Sequence, residues 1–138
     1  MANQGYNFDK HEWISLLISI VLLTFSIPGQ TFFLGYFSEY LIMSQSVSTQ
    51  TISLIFAIST VFTALFMHLF GKYSDTRSIS EAALFSGFVL ALGGILLTAS
   101  LSNINILLVA FSLIRLGGQG LLIHTALTNI VKAIKHRS

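Results

Sequence analysis

Cysteine is absent from all 138 residues, which excludes a disulfide framework, a thiolate nucleophile and any Cys-ligated metal centre. Charge is also scarce. Seven Lys or Arg and five acids amount to 9% of the chain, whereas a soluble domain carries about a quarter because its surface faces water. So few charges cannot cover a globule. No nucleophile–base pair, paired carboxylates or phosphate-cradling loop occurs, so the residues give no support to an enzyme and imply no cofactor. His68 and His124 lack the partners a metal site would need. The formal charge is +2, but the bases are scattered through short loops and form no stripe for nucleic acid. Their positions point instead to anionic lipid.

The chain is rich in apolar runs, with 54% of its residues hydrophobic. Crossing a hydrocarbon core of about 30 Å takes around 20 residues of helix. Four segments are long enough: about Trp13 to Phe37, Thr51 to Phe70, Ala82 to Leu101 and Ile104 to Ala126. They lack the alternation of barrel strands, so an all-α membrane fold is expected. Ile14 to Ile27 has the length of a signal-peptide core. It lacks a clearly basic leader and an Ala-x-Ala site, and the apolar run resumes after Gln30, so cleavage is not expected. Residues 71–81 read as a loop and 127–138 as a tail.

Lys10, Lys72, Arg77, Lys132, Lys135 and Arg137 all fall on one side of these spans, and no base falls on the other. By the positive-inside rule both termini are cytoplasmic, in a multi-pass protein of the inner (plasma) membrane. Ser102–Asn105 is so short a link that the third and fourth spans must be antiparallel neighbours.

Arg115 is the only Lys, Arg, Asp or Glu inside a span. A guanidinium at mid-membrane costs about 2.5–3.5 kcal/mol on insertion scales, and such residues face a bundle interior or an aqueous cavity. Gln119, four residues on, presents its amide on the same face. Gly117, Gly118 and Gly120 let a neighbouring helix approach closely. Pro28 and Gly29 should bend the first helix, which makes Gln30 and Thr31 further cavity candidates. In the loop, Gly71 can end a helix and Asp75 can pair with a cation or accept hydrogen bonds from the next helix. His68 reads as interfacial. His124 stands nine positions after Arg115, about 180° away on an ideal helix. Glu39 reads as facing solvent. Gly93-Gly94, with Ser86 and Gly87 two turns earlier, reads as close helix packing.

Gly71-x-x-x-Asp75 followed by Arg115-Leu116-Gly117-Gly118-Gln119-Gly120 resembles the loop and helix-four signatures of the major facilitator superfamily. Pro28 to Phe33 and Gln119 to Thr125 are similar to the same carriers. The resemblance implies the first four transmembrane helices of a six-helix N-terminal bundle, hence an N-terminal part of a secondary transporter that is inactive alone. It implies a small solute, with an organic anion preferred, a coupled proton, and the missing helices or another membrane chain as partner. Arg115 would line the cavity with Gln119, Gln30 and Thr31. The Gly71–Asp75 loop with Arg77 would brace the second bundle, and Pro28, Gly29, Gly117, Gly118 and Gly120 would serve packing and bending. The sequence departs from the pattern where Thr76 follows Asp75 and Arg77 sits one place late, which weakens that brace. The alternative is a small four-helix membrane protein that assembles as an oligomer, or with a partner, without transporting. A dimeric carrier of the small multidrug-resistance type would need an acid in helix one, and none occurs between Glu12 and Glu39.

Overall fold

A computed structural model describes residues 9–44, 47–100 and 103–135, apart from the side chains of 73, 74 and 135. Among them there is no strand; every element is helical. The order is α1 (Lys10–Phe25), a single 3-10 turn (Ile27–Gly29), α2 (Thr31–Met43), α3 (Thr49–Thr76) and α4 (Ile79–Ala99). A continuous rod follows, made of α5 (Ile104–Ile114), a π-helical stretch (Arg115–Leu122) and α6 (Ile123–Lys135). Among the described residues, three helices are long and apolar enough to cross a membrane: Thr49–Lys72, Ile79–Ala99 and Ile104–Ile134. The chain thus has the make-up of a membrane protein.

Short polar residues start the helices. Asp9 and Glu12 form a reciprocal capping box on α1: the Glu12 N–H donates to the Asp9 side chain and the Asp9 N–H to Glu12 Oε2 at 2.9 Å, while the Lys10 N–H also donates to Asp9 Oδ1 at 2.7 Å. Ser48, Ser78 and Asn103 accept from the first-turn N–H groups of α3, α4 and α5. Each cap satisfies a donor that an apolar neighbour could not.

The rod is the hub. Two-thirds of its apolar window is buried, against 22% for α3 and for α4. Leu107, Phe111 and Ile114 of α5 close a core with Leu34 and Leu41 of α2 and Ile52 and Ile55 of α3. Leu116 and Leu121 pack on Val89 of α4 beside a run of rings from Phe62 through Phe66 and Phe70 to Phe85, with centroids 4.4 to 6.0 Å apart. Leu122 and Ala126 meet Leu22 of α1. Elsewhere the helices leave large apolar side chains exposed, among them Phe32, Tyr36, Leu65, Leu84 and Phe88.

Several boundaries differ from the sequence reading. The first apolar run is two helices, extending to Met43, because Pro28 lacks an N–H and the turn at 27–29 interrupts the ladder. Residues 71–76, expected in a loop, continue α3. Gly71 does not take the left-handed conformation that ends a helix, so the stop passes to extended Arg77 and the capping Ser78. The loop 71–81 is therefore only two residues. The third span begins earlier, at Ile79. The expected tail 127–138 continues the rod through Lys135, since α6 has an apolar side to bury against α1. Arg137, used in the charge count, lies outside the described residues.

Candidate functional site

The rod changes winding at the arginine. A π-helix closes i→i+5 bonds, is rare, and recurs at functional sites. Here it spans Arg115–Leu122, the stretch in which three of eight side chains are missing. Those glycines let two backbones press in. A methyl group on Gly118 would lie 2.7 Å from Gly29 Cα and N, and one on Gly117 would lie 2.6 Å from Leu90 N. From the other side, a methyl on Gly29 would meet Gln119 N at 2.5 Å and Ile114 O at 2.6 Å. The break in the first apolar segment is thus seated against the π-helical stretch. Gly93 grips Ile114 in the same way, with its methyl position 2.8 Å from the Ile114 N, whereas Gly87 and Gly94 face open space. Of the expected packing pair, Gly93 alone makes a close approach; Ser86 is buried and donates to Ala82 O at 2.6 Å.

Arg115 sits in this crossing with only 4% of its surface exposed. Its Cζ lies 4.5 Å from the centre of the Phe56 ring on α3. That cation–π contact covers the guanidinium but gives its N–H groups no acceptor. Nε and Nη1 are buried without a hydrogen-bond partner, and so is Oε1 of Gln119. Unpaired donors on a buried cation are costly, and native proteins rarely leave them so. Among the described residues no carboxylate pairs with it: Asp75 faces His124 and Glu81 faces Arg77, while Asp9 and Glu12 cap α1 and Glu39 is exposed on α2.

Gln30 and Thr31 do not complete this site. Gln30 is half-buried and its Nε2 donates to Ser26 Oγ at 3.5 Å. Thr31 is exposed. Among the described residues neither hydrogen-bonds to Arg115 or Gln119. Their neighbour Gly29 does reach the π-helical stretch, through backbone.

A second polar group occupies the end of the bundle where α3 and α6 finish. Asp75 Oδ1 lies 3.5 Å from His124 Nε2, and Lys132 Nζ donates to the Asp75 carbonyl at 3.3 Å. Gly71 leaves room for the His124 ring, whose Nε2 is 4.0 Å from the glycine's methyl position. The expectation that His124 points away from Arg115 fails, because both side chains meet α3. The 180° estimate assumes α winding throughout, and each residue absorbed by a π-type turn sets the phase back by about 100°. Arg77 is exposed in the turn, 3.9 Å from Glu81. His68 is exposed.

Sequence reasoning missed a third feature. Asn129, 1% exposed, donates from Nδ2 to Ser15 O at 2.9 Å and to Ser19 Oγ at 3.0 Å, while Ser19 Oγ donates to Ala126 O at 3.1 Å. This network ties α1 to α6. The spacing of Ser15 and Ser19, one helical turn apart in an apolar run, was the available signal. Phe56, one of twelve phenylalanines, had none.

No family model, curated protein or solved structure matches the chain. What the residues themselves define is an all-helical protein of membrane make-up, with an unneutralised arginine inside a glycine-lined crossing.

Proposed function

We propose that the chain is a four-span membrane protein that contributes one wall of a solute pathway in a secondary transporter of the major facilitator type, with Arg115 receiving an anion. In this reading α1 and α2 make one interrupted span, and α3, α4 and the rod make three more. Both ends lie in the cytoplasm, on the side of Lys10, Lys72, Arg77 and Lys132, in the plasma membrane. The rod begins near the outer surface at Ile104, so Arg115 lies eleven residues, or about 17 Å, along it. That is the middle of a hydrocarbon core about 30 Å thick.

One observation carries the proposal: a buried guanidinium whose Nε and Nη1 have no hydrogen-bond partner and, among the described residues, no carboxylate paired with it. Its neutralising charge must come from a solute or from another polypeptide. The broken first segment supports the same reading, since interrupted helices in transporters lie against binding sites. Four helices leave their apolar faces open, so the pathway needs further helices or further copies to close, and the chain alone does not transport.

The test uses the purified chain in liposomes, with a panel of labelled small carboxylates and their neutral amides. Saturable binding of a carboxylate is expected, lost in Arg115→Met and without net uptake. Equal binding by Arg115→Met would refute the cavity assignment. Uptake by the chain alone would refute its incompleteness.

A further inference from the structure

Arg115 is not the whole of what the crossing leaves unmet. Oε1 of Gln119, one turn along the same π-helical stretch, is also buried and takes no hydrogen bond among the described residues. Buried side-chain carbonyls are normally paired. The hydroxyls packed against the stretch spend their protons elsewhere. Ser26 donates to Leu23 O at 2.6 Å, and Thr63, whose methyl lies 3.4 Å from the methyl position of Gly120, donates to Ser59 O at 2.8 Å. The unmet set is therefore two donors on a cation and one neutral acceptor. We propose that the solute received by Arg115 is the complement of this set, a short hydroxycarboxylate, with its carboxylate on the guanidinium and its hydroxyl donating to Gln119 Oε1. This rests on the anion-site reading of Arg115.

Geometry and charge select the class. Phe56 covers one face of the guanidinium, with its ring centre 4.5 Å from Cζ, while the N–H bonds lie in the guanidinium plane. A carboxylate therefore meets the edge, where two parallel hydrogen bonds hold its orientation. Residues four apart on a helix are neighbours, with Cβ atoms about 5–6 Å apart, so the group that reaches Gln119 stands within a few bonds of the carboxylate. An ammonium would also donate, but it brings a second positive charge beside a guanidinium with no paired carboxylate, in surroundings that screen poorly. A hydroxyl donates without charge. A plain carboxylate leaves Oε1 buried and unpaired. The unmet atoms are withdrawn from water in this conformation, so the solute reaches them as the helices part, and no water then replaces a hydrogen bond that the solute fails to make. Discrimination between acids with and without the hydroxyl is steep for that reason.

The test is equilibrium dialysis of the purified chain in dodecyl maltoside against labelled propionate, 2-hydroxypropionate, 3-hydroxypropionate, 2-methoxypropionate and 2-aminopropionate. One of the hydroxy acids should bind about 5- to 150-fold tighter than propionate, the range expected when a buried acceptor gains its donor. The methoxy acid, which accepts but cannot donate, and the amino acid should bind no better than propionate. Gln119→Met should erase the difference between the hydroxy acid and propionate, and Arg115→Met should abolish the binding of both. Hydroxy acids no tighter than propionate in the wild type, or a methoxy acid as tight as the hydroxy acid, overturn the hydroxyl assignment while the anion site at Arg115 stands. An amino acid tighter than either hydroxy acid overturns the choice of hydroxyl over ammonium. Binding that survives Arg115→Met overturns the anion site and this inference with it. The ligand series in the wild type decides the class even if the Gln119 variant does not fold.

Discussion

Adding one methyl group at Gly118 tests whether backbone-to-backbone contact holds the break against the rod. In Gly118→Ala the new carbon would start 2.7 Å from Gly29 Cα and N and 2.9 Å from Ser26 O. All three atoms are backbone, so no side chain can rotate aside. Ordinary contact begins near 3.4 Å, and the turn at Ile27–Gly29 must therefore retreat by roughly 0.7 Å against the normal carbon separation. Overpacking of this kind costs about 1–3 kcal/mol, occasionally more. Gly94→Ala is the control: it is also a helical glycine, but nothing lies within 4 Å of its methyl position. It should gain up to about 1 kcal/mol from helix propensity. The two variants should differ by about 1–4 kcal/mol in an SDS or thermal unfolding titration in mild detergent. Equal stabilities for the two alanines would refute the tight crossing and, with it, the seat of the π-helical stretch.

Three further outcomes follow from the same contacts. Arg115→Met should be at least as stable as the wild type, because it removes a buried cation with unmet donors and keeps an apolar stem on Phe56; marked destabilisation in the same titration would reveal a hidden partner. Asn129→Leu should lose about 1–3 kcal/mol, since it strips donors from Ser15 O and Ser19 Oγ; faster amide exchange in α1 would locate the damage, and unchanged exchange would contradict the network. Gly71→Ala should be neutral or stabilising by up to about 1 kcal/mol, because Gly71 lies inside α3 with ordinary space around it; a large loss would restore the loop reading.

The sequence made some of this visible. Apolar runs interrupted by short polar clusters announced the helices, and Pro28-Gly29 announced the break, because each signal is local. Gly117, Gly118 and Gly120 were legible as points of close approach, although which neighbours they meet depends on tertiary packing. Gly71 misled because a glycine among charged residues looks like a helix stop, while the stop actually depends on its backbone conformation. The pairing of Asp75 with His124 was out of reach for another reason. It depends on the phase of the rod beyond Arg115, which the π-type winding resets, and no local pattern distinguishes that winding from α. The Asn129 network joins residues more than a hundred positions apart, which is information a local pattern does not hold.

That separation also bears on how the molecule assembles. The ribosome delivers α1 and α2, at 16 and 13 residues each shorter than a bilayer crossing demands, before the rod that supports them. Until then the interrupted segment has neither Gly118 to rest on nor Asn129 to anchor it. Biogenesis therefore carries a waiting period, in which the interrupted segment lacks the support that the finished fold supplies.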